Sequence, residues 1–147
     1  MSSMVGDTVR GIELYSVSTD EVVIKDTGIG SYDGKVNAHF NVATVVKQCS
    51  EGRLICFLRL AADIPLLEFD ITVRAQYVNA GSMTDNVAEL TRFYSLVALP
   101  VLYTQLVNIA RIASTFSFNL AETIPDFTAI LQLVKENGIS IQPVSEA

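Results

Sequence analysis

Apolar and polar residues alternate through the first half of the chain. The clearest run is Leu67–Val78, in which every second residue from Leu67 to Tyr77 is apolar and the intervening residues up to Gln76 are polar or charged. This alternation predicts a β-strand with one face on a core and one face partly wet. Weaker runs of the same kind predict further strands over Val9–Val17, with extended character resuming at Val22–Ile24, and over Val36–Lys47 and Arg53–Ala62.

Short polar segments separate these predicted strands. Cys49–Gly52 is a polar turn ending in glycine between two apolar runs, which indicates a hairpin, and Asp63–Pro65 makes a second turn. Ser18–Asp20 indicates a bend or bulge in the first strand. Asp26–Gly34 holds three glycines and no periodicity, which predicts a loop. Strands joined in this way form an antiparallel sheet.

Helical periodicity replaces the alternation in Thr84–Thr115. Asn86 followed by Glu89 has the pattern of a capping box, which predicts a helix start. Pro100 cannot donate a backbone hydrogen bond, so we expect the helix to break or kink there. The 18 residues between Arg92 and Arg111 carry no charge, which is close to the length of a membrane span. Polar residues interrupt that run, and its apolar residues recur at helical spacing, so the prediction is a core helix.

A last helix is predicted to open at Thr123–Asp126, with Pro125 in its first turn and Asp126 near its positive end. Its apolar stripe is Phe127, Ile130, Leu131 and Val134, and Gly138 is its predicted end. The tail Ile139–Ala147 is expected to be frayed. Strands followed by helices predict a single α+β domain over residues 1–147, with a four-stranded antiparallel sheet and helices packed on one face.

Composition restricts the class of partner. Half of the residues are apolar, 18% are charged, and the mean hydropathy is +0.37, which predicts an oligomer or an apolar binding surface. A net charge of −6 argues against nucleic acid as a partner. Cys49 and Cys56 are the only cysteines, and no signal peptide is recognisable. We therefore expect reduced thiols, a cytoplasmic protein and no direct insertion into a membrane.

No arrangement of residues predicts catalysis, a metal or a cofactor. His39 is the only histidine, and the sequence shows no nucleophile and acid to complete a triad with it. The two cysteines lack the second ligand pair of a zinc site. Gly28-Ile29-Gly30 lacks the third glycine and the following helix of a dinucleotide loop. Glu68 and Asp70 are neighbours on one strand face, which a solvated surface explains as well as acid–base chemistry does.

The order of elements resembles the SecB-type protein-export chaperones from Val9 to about Asn137. The local anchors of this resemblance are Tyr77–Gly81 (YVNAG), the Leu99-Pro100 pair, and the stretch from Thr115-Phe116 to Asp126-Phe127. The resemblance implies a homotetramer built as a dimer of dimers. It also implies an ATP-independent chaperone that binds unfolded preproteins in apolar grooves and delivers them to the SecA motor.

Site residues follow from the resemblance position by position. Tyr32, Leu67, Tyr77 and Phe127 match client-binding positions, for which plain core packing is the alternative. Glu21 and Asp70 match acidic residues that face SecA. Lys25 and Glu68 stand where the family has an acid and an apolar residue, and residues 140–147 (SIQPVSEA) hold one charge where the family has an acidic tail.

Two other functions stay open. One is a SecB-like chaperone dedicated to a single client, such as the antitoxin of a toxin–antitoxin pair, which the departures from the family pattern favour. The other is a small-molecule enzyme on an α+β sandwich. A hotdog thioesterase would place its long helix early in the chain, whereas here the predicted long helix follows all four strands.

Overall fold

Four long strands precede the helices in the computed structural model, which describes residues 12–26, 39–49, 52–64, 67–78, 86–113 and 124–142. They are β1 (Glu13–Asp26), β2 (His39–Cys49), β3 (Arg53–Ile64) and β4 (Leu67–Val78). A short strand, β5 (Ser140–Gln142), follows the last helix. The strand order is β1-β4-β3-β2-β5, so β1 and β5 are the edges of the sheet within the described ranges.

The central strands pair as their alternation predicts. β2 and β3 form an antiparallel hairpin that closes at the Cys49–Arg53 pair, and Gly52 adopts a φ of 70°, a left-handed conformation that favours glycine. β3 and β4 pair antiparallel from Leu54–Tyr77 to Ile64–Leu67. The predicted hairpin and the predicted bounds of β4 are confirmed.

β1 is one irregular strand, as the pattern predicts. It pairs antiparallel with β4 over its whole length, with register shifts between Leu14 and Ser16 and between Thr19 and Glu21. Each shift inserts one extra residue, a β-bulge, which bends a strand without ending it. The irregularity predicted at Ser18–Asp20 is therefore confirmed, but it does not interrupt the strand.

The helical stretch after the sheet consists of α1 (Val87–Phe93), a π-helical segment (Tyr94–Ala98) and α2 (Leu99–Ala113), which together we call the long helix. Its predicted start is confirmed, because the Glu89 backbone N–H donates to the Asn86 side chain at 3.1 Å. The cap satisfies one of the backbone donors that a helix start leaves unpaired.

The helix does not break at Pro100, which was one of the two outcomes predicted there. Leu99 has helical φ and ψ of −60° and −45°, and its N–H donates to the Tyr94 carbonyl five residues back. This wider π turn lies directly before the proline. Wide turns of this kind let a helix accommodate the missing N–H and the bulk of the proline ring. The helix therefore continues, and the π turn replaces the break.

The last helix is α3 (Phe127–Asn137), capped at its start by Asp126 and ended by Gly138 at a φ of 75°. Its end is as predicted, but its start is later than predicted, because Pro125 lies before the Asp126 cap and not in the first turn. The expectation of a frayed tail is wrong for Ser140–Gln142. These residues pair in parallel with Val45–Lys47 of β2, so the sheet is mixed and has five strands. The free edge of β2 supplies backbone partners that local sequence does not reveal.

The helices pack on one face of the sheet, which we call the inner face. Within the described ranges, the stretch Val87–Ile112 is long and apolar enough to cross a membrane. Its buried side, however, contributes to the core of this domain. The core joins the inner residues of β2, β3 and β4 to the inner sides of the long helix and α3: Val46, Leu54, Cys56, Leu58, Leu60, Ile71, Val73, Ala75, Leu90, Phe93, Tyr94, Ala98, Leu99, Leu102, Leu106, Ala110, Ile130 and Val134.

Candidate functional site

The described residues do not bring the predicted client-binding positions into one cluster. Leu67 is the first residue of β4 and Tyr77 is close to its end. Ten residues of strand separate them, which is about 33 Å. Phe127 begins α3, and Tyr32 lies outside the described residues. Any surface that uses all four would have to extend along the molecule.

Tyr77 lies in the core of the single chain. Its side chain is 3% exposed, and its ring meets the Phe93 ring edge-on with centroids 4.9 Å apart. The Tyr77 hydroxyl is buried and has no hydrogen-bond partner among the described residues. Burial, with a smaller contribution from Cys56, raises its pKa well above the ordinary value of 10.0. Of the two alternatives for this residue, the burial favours packing, and direct contact with a client stays a prediction.

Phe127 belongs to a partly buried aromatic pair at the junction of α2 and α3. Its ring lies edge-on to that of Tyr103, with centroids 5.5 Å apart. The Tyr103 hydroxyl donates to the Pro125 carbonyl at 2.8 Å, and Asp126 accepts from the Ala129 N–H at 2.8 Å. These bonds fix the start of α3 against the long helix. Phe127 is thus held in place while part of its ring stays accessible.

The two positions predicted to face SecA lie on the other face of the sheet, the outer face. Glu21 of β1 is paired with Thr72, and Asp70 is two residues from Thr72 on the same face of β4. Cross-strand neighbours on such a diagonal are about 7–8 Å apart. The structure therefore brings Glu21 and Asp70 onto one surface, as the resemblance implies.

Arginines balance the acids of this outer face. Arg59 binds both carboxylate oxygens of Asp70, with Nε 2.9 Å from Oδ1. The hydrogen bond from Arg59 is the main reason why the pKa of Asp70 is lowered. Arg74 donates to the Ser18 hydroxyl at 3.3 Å and approaches Asp20 at 3.7 Å. The described part of the outer face is consequently a surface of mixed charge.

Apolar side chains remain exposed on β1 and on the long helix. On the edge strand β1, Tyr15 is 70% exposed and is flanked by exposed Leu14; on the long helix, Leu96 and Ile112 are 59% and 81% exposed. A groove of about 380 Å³ runs between β1 and α2, lined by Val17, Pro100, Val101, Thr104 and Gln105. The edge strand and the helix thus leave apolar surface that a protein partner could cover.

The two cysteines lie on opposite faces of the sheet. Cys56 lies on the inner face, where burial raises the pKa of its thiol to about 12, while Cys49 lies on the outer face, opposite Arg53. The two thiols are free and point to opposite sides of the sheet. Among the described residues, no group of three or more His, Cys, Asp or Glu side chains could hold a metal ion.

Comparisons with known proteins identify the fold. No protein-family model matches the chain, and no curated protein matches it by sequence. Among solved structures, it is similar to the Mycobacterium tuberculosis SecB-like chaperone Rv1957, solved in complex with a ChAD peptide from the Rv1956 HigA1 antitoxin. The TM-score is 0.59 at 10% sequence identity, over 74% of this chain and 85% of that chain. The resemblance seen in the sequence is confirmed at the level of structure: the chain has the SecB-like fold.

Proposed function

We propose that the protein is a chaperone that holds unfolded polypeptide segments without using a nucleotide. The observation that carries this proposal is the SecB-like fold, because the similar Mycobacterium tuberculosis protein was solved with a peptide of its client bound. The exposed apolar side chains of β1 and the long helix agree with a protein that binds other polypeptides. The small-molecule enzyme is the less supported alternative.

A role dedicated to a single client is favoured over a role in general protein export. The similar structure is that of a chaperone bound to an antitoxin peptide, which fits the dedicated alternative best. Delivery to SecA would use Glu21 and Asp70, but Asp70 is already bound by Arg59 and the surface around it is of mixed charge. We therefore propose a dedicated chaperone first and an export chaperone second.

The working form in this proposal is a homotetramer in the cytoplasm. The long helix and β1 each expose large apolar residues that a second copy of the chain would bury. β1 is also a sheet edge within the described part of the chain, and it offers backbone groups for pairing. A reducing compartment suits the two free thiols.

The test is the mass of the native particle, measured by light scattering with and without a reduced, unfolded protein. We expect a particle of four chains that gains the mass of the unfolded protein when the two are mixed. In a matched sample, the test protein in its folded form should add no mass to the particle of four chains. A particle that binds neither form, over a series of unfolded proteins and the antitoxin encoded nearest to its gene, would contradict the proposal.

A further inference from the structure

The outer edge of β2 is only partly covered. β5 lies beside Val45–Lys47, in parallel register, and covers three residues of a strand of eleven. Among the described residues, no strand lies on that side of Asn41–Thr44. At about 3.3 Å per residue, this open stretch is about 13 Å long. On an edge strand, every second residue directs its backbone N–H and C=O away from the neighbouring strand, so the stretch offers unpaired hydrogen-bonding groups.

A groove continues from β5 along this open stretch. It has a volume of about 450 Å³, and its walls are Val42–Val45 of β2 and Asn137–Ser140 at the end of α3. Within the part of the chain that the structure describes, no charged side chain lines it. Thr44 donates its hydroxyl to the Gly138 carbonyl at 3.1 Å, so one wall already binds a peptide backbone. The chemistry of the groove fits an extended, uncharged segment of polypeptide.

β5 shows how such a segment binds. Its three residues carry no charge, and only the middle one, Ile141, is partly buried against the core, opposite Val46. Ser140 and Gln142, on either side, are exposed. One apolar side chain inserted at every second residue is the pattern of strand addition. A parallel strand of three residues with two exposed positions is held by few interactions, so a longer strand can compete for its place.

We propose that an extended, uncharged segment of a client adds as a strand to the edge of β2, starting on Asn41–Thr44 and displacing β5. This inference rests on the proposed function, because it names the surface on which an unfolded client is held. β5 then acts as an internal strand that covers part of the edge when no client is bound. It protects that part from pairing with other sheet edges.

The test locks β5 in place by a disulfide. Lys47 and Gln142 are opposite each other across the two strands. Neighbouring strands lie about 4.8 Å apart, within the Cα separation that disulfides accept. The full chain carrying Lys47→Cys and Gln142→Cys is made with Cys49→Ser, which removes the nearby thiol. Cys56 can stay, because its burial and raised pKa keep it an unreactive thiol.

Binding is measured by fluorescence anisotropy with labelled α-lactalbumin that has been reduced and carbamidomethylated, so that it stays unfolded. We expect the oxidised protein to bind about tenfold more weakly than the same protein after reduction, the equivalent of about 1.4 kcal/mol. Cys49→Ser alone should bind equally with and without reductant. A second variant, Ile141→Asp, removes the apolar anchor of β5 and should bind more tightly than the parent chain.

A peptide arm tests the mode of binding. A decapeptide of alternating valine and threonine should bind, and its copy with N-methylated alternate residues should not, because N-methylation removes the donors that a sheet edge needs. Equal binding of both peptides, or equal binding by the locked and reduced proteins, would overturn this inference and leave the proposed function intact. A disulfide that joins two chains would also overturn it, because a second copy would then occupy the edge. Failure of every form to bind unfolded α-lactalbumin would count against the proposed function itself.

Discussion

Two buried tyrosines on the inner face differ in one hydrogen bond. The Tyr94 hydroxyl donates to the Phe57 carbonyl at 2.7 Å, whereas the Tyr77 hydroxyl has no partner among the described residues. Both rings are fully or almost fully buried. A buried polar group costs free energy unless it is hydrogen-bonded, so the two hydroxyls should contribute differently to stability.

We therefore predict opposite results for the same substitution. Tyr94→Phe should lower the free energy of unfolding by about 1 kcal/mol, the net value of one hydrogen bond. Tyr77→Phe, its matched control, should leave that free energy unchanged or raise it. Chemical denaturation of both variants and the parent chain measures the difference. Equal losses in the two variants would show that the Tyr77 hydroxyl has a partner after all.

The ion pair of Asp70 and Arg59 predicts a pH dependence. Arg59 lowers the pKa of Asp70 in the folded chain below the ordinary 3.8. The ion pair therefore contributes its full stabilisation at pH values above the ordinary pKa of Asp70. That stabilisation is lost as the pH falls through the lower pKa of Asp70 in the folded chain. Because both side chains are partly exposed, Asp70→Asn should cost about 0.2–1 kcal/mol near neutral pH.

The measurement is the free energy of unfolding for the parent chain and Asp70→Asn between neutral pH and about pH 3. The difference between them should be constant near neutral pH and should shrink below the ordinary pKa of Asp70. Glu13→Gln is the control, since Glu13 lies on the same face, is paired with Val78, and has no ion pair among the described residues. If the difference in free energy of unfolding between the parent chain and Asp70→Asn grew as the pH fell, the stabilising ion pair of Asp70 and Arg59 would be contradicted.

Gly138 connects α3 to β5. Its φ of 75° and ψ of 167° belong to a region that residues other than glycine avoid, and a Cβ added there would meet no atom within 4 Å. Gly138→Ala should therefore cost about 1–3 kcal/mol from backbone strain alone. Hydrogen exchange should show faster exchange in Ser140–Gln142 than in the parent chain.

The control for this variant acts at the other end of the same helix. Asp126→Ala removes the cap of α3 and should cost about 1 kcal/mol, with faster exchange in the first turn of α3 and unchanged exchange in β5. If Gly138→Ala left the exchange of β5 unchanged, the link between the helix end and the strand would be wrong.

Elements with a strong local pattern were predictable, and those that depend on a distant partner were not. The alternation of Leu67–Val78, the cap at Asn86 and the helix end at Gly138 are local, and they were predicted correctly. β5 was missed although Ile139–Gln142 alternates apolar and polar residues, because a run of four residues is too short to indicate a strand without the β2 edge beside it. The π segment was missed because it is an adjustment to Pro100 within a packed helix.

The sequence predicts which residues share a surface better than it predicts which side chains are buried or paired. That Glu21 and Asp70 lie on the same face of the sheet follows from strand alternation and pairing. The burial of Tyr77 under Phe93 depends on how the long helix docks on the sheet, and the ion pair of Asp70 depends on the register of β3 against β4. Neither relation is encoded in residues close to each other in the chain.

At the scale of the whole molecule, the exposed apolar residues of the long helix predict self-association. Leu96→Glu combined with Ile112→Glu would place charges where a second copy is expected to pack, and burying an unpaired charge is costly. We expect this double variant to lose the tetramer in sedimentation equilibrium. Thr128→Glu, at an exposed polar position of α3 outside the proposed interface, is the control and should stay tetrameric. A tetramer that tolerates both charges would show that the long helix is not at the interface.

Aggregation of a denatured protein tests whether this SecB-like domain holds unfolded polypeptides without a nucleotide. Chemically unfolded citrate synthase is diluted into buffer free of ATP, with and without the purified chain, and light scattering is followed. We expect scattering to be suppressed at roughly one tetramer per unfolded chain and to be unchanged by added ATP. Unchanged scattering at a large excess of the protein, with this client and with the antitoxin encoded nearest to its gene, would contradict the proposed chaperone function, as would suppression that requires ATP.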